Sequence, residues 1–290
     1  MGGGSAARRP SRFGGAGPRG VFVTGTGTEV GKTVVAGAIA RTLAARGERV
    51  AVFKPAVTGL ADFAGGAGAV DGPVSRAGEA GGAPVDGLSP EVDEYAGGPA
   101  AGPAGGPADD SHSHTAGRNA NHRQDHEALR VAAGSEQGDE EIAPYRYAPP
   151  MSPHLAAALA GEEISPERLL AAARAAADGA DALVCEGVGG LLVPLAPDYL
   201  VRDFAVALGL PLVVAAPPGL GTINHTLLTL EAARAAGLEV AAVVLTPWPE
   251  LPDEIERSNR ETIASLGEVQ VQLLPHLDLD EPETWPALTV

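Results

Sequence analysis

Apolar residues in this chain fall into two rhythms that alternate along most of its length. A short β-branched run from Val21, VFVTG, gives way to a Gly/Thr-rich loop. A helical pattern follows from Lys32 to about Arg46, with Val35, Ile39 and Leu43 four residues apart and Gly47 stopping it. ERVAVFKP is a second strand, ending at Lys54-Pro55. Strand, helix and strand in this order form a βαβ unit, whose right-handed crossover puts both strands in one parallel sheet. After a stretch with hardly a large apolar side chain, DHEALRVAAG reads as a short helix headed by Asp125. In MSPHLAAALAG, Ser152 and Pro153 suit the N-cap and first-turn positions, and capping alone would account for both. Ser165-Pro166 starts another helix in the same way, through about Ala177.

The segment from Asp181 to Gly190, DALVCEGVGG, is almost continuously apolar and ends in an acid and glycines. Such strands lie in the middle of a parallel sheet covered on both faces, so Glu186 is expected at the sheet's carboxyl edge. YLVRDFAVALG then reads as helix and PLVVAA as strand. GLGTINHTLLTLEAARAAG reads as a loop and a helix with Ile223, Leu227 and Leu230 inward. LEVAAVVLTPWP is a strand, DEIERSNRETIASLG a helix, and VQVQLLPHL a last strand with a loop. No internal repeat interrupts the alternation. It predicts a doubly wound α/β fold, a mostly parallel sheet with helices on both faces and ligands at the carboxyl ends of the strands.

Composition changes the picture in one respect. Residues 1–18 and the segment from about 60 to 121 are dominated by Gly, Ala, Pro, Ser and Asp. Such segments bury too little to offset their ordering entropy, so a disordered tail and a low-complexity insertion are expected. The reading is therefore one domain over 19–290, interrupted at about 60–121. Arg8, Arg9, Arg12 and Arg19 give the first residues the charge of a transit peptide, but glycine and proline spoil the amphipathic helix such peptides use. A net charge of −17, from 37 acidic and 20 basic residues, disfavours nucleic acid and anionic membrane as partners. No run is long enough to span a membrane. The single cysteine, Cys185, lies in an apolar run and reads as a core thiol, which fits a reducing, cytoplasmic setting.

The candidate chemistry centres on VFVTGTGTEVGKT, from Val21 to Thr33. Glycines let backbone N–H groups curl around phosphate oxygens, and a helix N-terminus adds its positive dipole end. Lys32 can reach β/γ-phosphates, and the Thr33 hydroxyl can hold Mg²⁺. This is a variant of the P-loop, placing the fold with the P-loop NTPases. The usual first glycine is replaced by Thr26, between Gly25 and Gly27. Lys54 and Glu186 are expected at the same edge, Lys54 either as a site cation or a solvated strand end, Glu186 either as a Mg²⁺ contact or a salt-bridged acid. His112, His114, His122 and His126 invite a metal reading, but they lack a rigid element to fix ligand geometry.

Taken in order, TGTGTEVGKT, FKPAVTG, an aspartate heading a helix, MSPH, CEGVGGLLVPL and GLGTINH resemble the dethiobiotin synthetase family, over Val21 to Gly59 and Asp125 to about Leu245. The resemblance implies an ATP-dependent cyclo-ligase of biotin biosynthesis. Its diamine substrate, 7,8-diaminononanoate, captures CO₂ as a carbamate, ATP phosphorylates it, and the second amine closes a ureido ring. The implied Mg²⁺ ligands are Thr33, Asp125 and Glu186. Lys32, Lys54 and Thr28 match the catalytic groups at the γ-phosphate and carbamate. Gly27, Thr28, Glu29, Val30, Gly31, Lys32 and Thr33 hold the nucleotide phosphates and metal site. Thr246, Pro247, Pro275, His276 and Leu277 border the rest of the nucleotide. Thr58, Ser152, Pro153, His154 and Gly189 line the diamine pocket. The family works as a homodimer with the site at the interface, so Leu220 to Asn224 would approach substrate from the neighbouring subunit.

Two departures stand out. The insertion separates FKPAVTG from Asp125, where the family has a short loop. Thr246-Pro247 replace an Asn–Asp pair and cannot offer the same amide contacts to adenine. Partitioning or division-site switch ATPases share the fold but carry an extra early lysine, where this chain has Thr24-Gly25-Thr26-Gly27. A cobyrinate-type synthetase would need a separate glutaminase cysteine, and Cys185 lies within the synthetase fold itself.

Overall fold

A computed structural model describes residues 19–60, 123–278 and 281–290. The tail 1–18, the insertion beyond Leu60, and His112, His114 and His122 lie outside the described residues. In chain order the elements begin β1 (Arg19–Gly25), α1 (Lys32–Ala45), β2 (Val50–Phe53), β3 (Val57–Thr58), α2 (Asp125–Ala133), α3 (Asp139–Ile142), β4 (Arg146–Tyr147), α4 (Pro153–Leu159) and α5 (Pro166–Ala176). They continue β5 (Ala182–Gly190), β6 (Pro194–Ala196), β7 (Tyr199–Leu200), α6 (Val201–Leu208), β8 (Leu212–Ala216), α7 (Thr222–Ala235), β9 (Val240–Trp248), α8 (Glu254–Gly267) and β10 (Val271–Pro275), with a short 3₁₀ turn at Pro282–Thr284.

Six strands form one parallel sheet in the order β10-β9-β8-β1-β5-β2. The expected β1-α1-β2 unit is there, but β5 inserts between its two strands. That leaves β2 on the edge, and places Glu186 opposite Val23 of β1. One face of the sheet packs Val23, Val52 and Val184 against Val35 and Ile39 of α1 and Leu129 of α2. The other packs Phe22, Phe53 and Cys185 against Leu169 of α5, Phe204 of α6, Leu230 of α7 and Ile263 of α8. Phe204 meets both Phe22 and Phe53 at 6.0 Å between ring centroids, edge-on to the first. Cys185 is wholly buried there, and burial pushes its thiol pKa well up, as befits a core residue.

Several local expectations change. The buried stripe of α7 begins with Thr222 and Thr226 before Leu230, while Ile223 and Leu227 pack at its margin. Tyr199 and Leu200, read as the start of a helix, form a strand pairing antiparallel with β6, and Asp203 accepts from the Leu200 N–H to start α6. Short strands β3 and β4 pair parallel outside the main sheet, and α3 is too short to show a periodic signal. The C-terminal residues fold back on α1. A methyl at Gly37 would lie 2.5 Å from the Trp285 ring, and the Leu288 N–H donates to Thr42 Oγ1 at 2.8 Å. Only a side-chain-free position admits that indole.

Candidate active site

The loop after β1 explains its own departure from the usual spacing. Of its described residues, Glu29 takes φ +60° and Gly31 φ +85°, whereas Thr26 does not enter the left-handed region. The Thr26 N–H donates to the Ala215 carbonyl of β8 at 3.0 Å, so a side chain there costs nothing. The glycines that matter sit on either side of it. A methyl at Gly25 would lie 2.5 Å from Val30 Cγ2, and one at Gly31 2.6 Å from Thr246 Cγ2. Gly31 starts α1 with no side-chain cap, leaving the first-turn N–H groups as the donors an anion would take. The Lys32 ammonium turns back and donates to the Gly27 carbonyl at 2.8 Å. Burial lowers its pKa, against the pull of Glu186.

Lys54 leaves β2 at the carboxyl edge, 3 % exposed. Its ammonium lies 2.5 Å from Glu186 Oε1 and 2.9 Å from Asp125 Oδ2. The Thr33 hydroxyl donates to the same Glu186 oxygen at 3.0 Å. Residues from α1, β2, α2 and β5 therefore meet at one point. Burial works against the Lys54 charge, but Asp125 and Glu186 outweigh it and hold its pKa above the usual lysine value. Lys54 in turn holds Asp125 below the usual carboxylate range. Burial pushes Glu186 up, against the pull of Lys54, and nearby Asp125 pushes the same way. Lys54 is no solvated strand end, and Glu186, within β5 rather than a loop, is salt-bridged to it.

Asp125 stands one place inside α2. Gln124 is the N-cap, in a capping box with Glu127, so the Asp125 side chain is released from capping. Among the described residues the wholly buried Glu186 bonds only through Oε1, and its Oε2 has no hydrogen-bond partner. That orphaned oxygen beside Thr33 and Asp125 is a donor set suited to a hard divalent cation. These three are the residues that could hold Mg²⁺.

The remaining candidates surround this cluster. Thr28 and Glu29 are exposed on the loop, Val30 half-buried, and Thr58 lies on β3. Pro153 opens α4, but the Ser152 hydroxyl makes no capping bond, so capping does not explain the serine. His154 Nδ1 is buried without a partner. Gly189, at φ +61°, has room for no methyl beside Val193. Leu220 is 95 % exposed before α7, Asn224 is exposed on it, and neither joins the ion-pair cluster. Thr246 is buried against Gly31 and joined by a cis peptide to exposed Pro247. Exposed Pro275 ends β10 and exposed His276 follows it, with Leu277 half-buried. His126 is buried near Asp139, and among the described residues no group of three His, Cys, Asp or Glu could hold a metal. Sequence reasoning missed the contact of Thr246 with the loop, which only the strand order β8-β9 creates.

Lys32 and Lys54 are the only lysines in the 290 residues; all other members of the 20 Lys and Arg residues are arginine. Both stand at this edge.

A family model described as an AAA domain matches residues 19–71 and 114–283. The ATP-dependent dethiobiotin synthetase BioD of Anaeromyxobacter dehalogenans (strain 2CP-C) is 37 % identical over 248 residues, 86 % of this chain and 85 % of that protein. Its namesake in Bacillus cereus (strain G9842) is 34 % identical over 260 residues, 89 % and 84 % of the two chains. That of Bacillus subtilis (strain 168) is 29 % identical over 253 residues, 87 % and 85 %. Among solved structures, the signal recognition particle receptor FtsY of Elizabethkingia anophelis aligns with 94 % of this chain and 64 % of its own, at 13 % identity and a TM-score of 0.41. With identity above a third across most of both chains, this protein belongs to the dethiobiotin synthetase family.

Proposed function

We propose that this chain is an ATP-dependent dethiobiotin synthetase, forming dethiobiotin, ADP and phosphate from 7,8-diaminononanoate, CO₂ and ATP. The observation that carries the reading is the buried Lys54 ammonium between Asp125 and Glu186, at the same sheet edge as the phosphate loop. One amine of the substrate adds to CO₂ and gives a carbamate. The γ-phosphoryl group passes to a carbamate oxygen, breaking its bond to ADP. The second amine then attacks the carbonyl carbon of this carbamic-phosphoric anhydride, expels phosphate, loses its proton and closes the ring.

The chain's own groups match these demands. The loop N–H groups and Lys32 bind and orient the β- and γ-phosphates. Thr28 and Lys54 hold the carbamate in line with the γ-phosphate, and Lys54 stabilises the charge that develops on the transferring group. Thr33, Asp125 and Glu186 would hold Mg²⁺, a fit supported by the orphaned Glu186 oxygen. Mg²⁺, when bound, neutralises charge on the phosphates. Ser152, free of capping duty, and His154, with a buried unpartnered nitrogen, are polar groups available to orient the diamine.

The enzyme works as a cytoplasmic homodimer with its site at the interface. Exposed Leu220 and Leu228, on and before α7, support the apolar interface this requires, with Leu220 to Asn224 reaching the neighbouring site. Among the described residues no helix is long and apolar enough to cross a membrane. Residues 19–290 form one synthetase domain into which the 60–121 segment is inserted.

The test is phosphate release from ATP, Mg²⁺ and bicarbonate with and without 7,8-diaminononanoate, with the product identified by mass. Diamine-dependent release and a cyclic urea are expected. Release indifferent to the diamine would point instead to a switch ATPase.

A further inference from the structure

Lys54 and Asp125 belong to segments separated by the long insertion, and the motif alone does not say what brings them together. The outer edge of β2 supplies the answer. As the edge strand it presents Val52 N–H, Val52 C=O and Lys54 N–H away from the sheet. None of the three pairs with another strand of that sheet. The Gln137 side chain takes two of them: its Oε1 accepts from the Val52 N–H at 2.8 Å, and its Nε2 donates to the Val52 carbonyl at 3.2 Å. The Ile142 carbonyl takes the third, accepting from the Lys54 N–H at 2.8 Å.

Gln137 is itself fixed. The Ser135 hydroxyl donates to Gln137 Oε1 at 3.0 Å and accepts from the Gln137 N–H at 3.2 Å. Ser135 is tied to the end of α2, its N–H donating to the Arg130 carbonyl at 3.0 Å. Asp139 completes the anchorage, accepting from Arg130 of α2 at 2.5 Å and lying 3.5 Å from Arg146 of β4. The segment after α2 thus imitates a seventh strand with an amide side chain. It ties the helix that starts at Asp125 to the strand that leads into Lys54.

We infer that Gln137 is a positioning residue of the active site: its amide clamps the backbone two residues before Lys54 and so holds the Lys54 ammonium against Asp125. The inference rests on the reading of Lys54 and Asp125 as site residues, but its test does not require turnover. An amide is the side chain that suits the post, because one group must accept and the adjacent one donate on the same residue. Glutamate would set a carboxylate against the Val52 carbonyl, and methionine would fill the space with no hydrogen bond.

Because the chain has only two lysines, acylation of the ligand-free protein with acetic anhydride, read by peptide mass spectrometry, reports Lys54 against Lys32 as internal reference. Gln137→Ala and the shape-conserving Gln137→Met are compared with Ile263→Val in α8, at the opposite end of the sheet, each read at the same temperature interval below its own Tm. Loss of the clamp frees Lys54 from its carboxylates, and the Lys54:Lys32 labelling ratio rises about tenfold in both Gln137 variants but not in Ile263→Val. Phosphate-release kinetics then show a fall in kcat with the KM for ATP within about twofold, since the loop and Lys32 are untouched. An unchanged labelling ratio in Gln137→Met, or an equal rise in Ile263→Val, overturns the inference. Failure of diamine-dependent turnover in the unmodified protein, with the labelling result intact, would instead remove the synthetase reading and leave the clamp standing.

Discussion

Lys32 and Lys54 carry the same ammonium group to the same edge of the sheet, yet the chain sets them there by opposite means. Lys32 finds its partner five residues away, at the Gly27 carbonyl of its own loop. Lys54 finds its partners 71 and 132 residues further along, on α2 and β5. Burial lowers the pKa of the first, whereas two carboxylates raise that of the second. Lys32 is held by a bond within its own loop, although that loop also leans on β8 and β9. Lys54 is held by a tertiary assembly that exists only once four elements have met.

This contrast can be broken most severely at Lys54. Lys54→Ala is expected to cut diamine-dependent phosphate release about 1,000-fold with the fold retained, checked by turnover and circular dichroism. Near-normal turnover would remove Lys54 from the chemistry. Lys54→Arg should rescue little, because a planar fork does not fit the buried gap between two carboxylates. Lys32→Ala should cost about 100-fold in kcat/KM for ATP, an effect seen by varying nucleotide and not diamine.

The packing of the loop against β9 is probed next. Gly31→Ala meets Thr246 Cγ2 and a left-handed φ together, and should destabilise the fold by about 2 kcal/mol in denaturant titration. Thr246→Ser in the same chain removes the clashing methyl and should recover about half of that; no recovery would mean backbone strain alone sets the cost.

The smallest expected effect concerns pH. The ordinary Asp125 value of 3.8 is lowered in the fold, chiefly by Lys54, so the unfolded chain binds the proton more readily. The resulting stability is present in full above about pH 5 and is lost as pH falls below 4. Asp125→Asn should flatten the fall in Tm over that window, while substitutions in the loop leave its slope alone.

How much of this was legible along the chain follows the same division. The loop, α1 and the apolar β5 with Glu186 are written in consecutive residues, where period and glycine spacing can be seen. The alternation likewise announced a parallel α/β sheet. Strand order was hidden, because a parallel strand's neighbour depends on crossovers far away in sequence. Hence β5 between β1 and β2, the edge position of β2 and the Thr246–Gly31 contact became visible only in three dimensions. Gln137 gave no signal, since a glutamine in a polar loop looks like any solvated residue. Ser152 was legible in part: it stands at the N-cap before Pro153, as its sequence suggests, but its hydroxyl makes no capping bond.

The clamp on β2 also bears on how the protein behaves in a crowded solution. A parallel edge strand as apolar as Val50–Phe53 is a template on which a foreign strand could grow. With Val52 bonded through both its amide groups to Gln137, and Lys54 N–H to Ile142, that template is already occupied from within the chain. The contacts that tie β2 to the segment after α2 therefore also cap the open side of that strand.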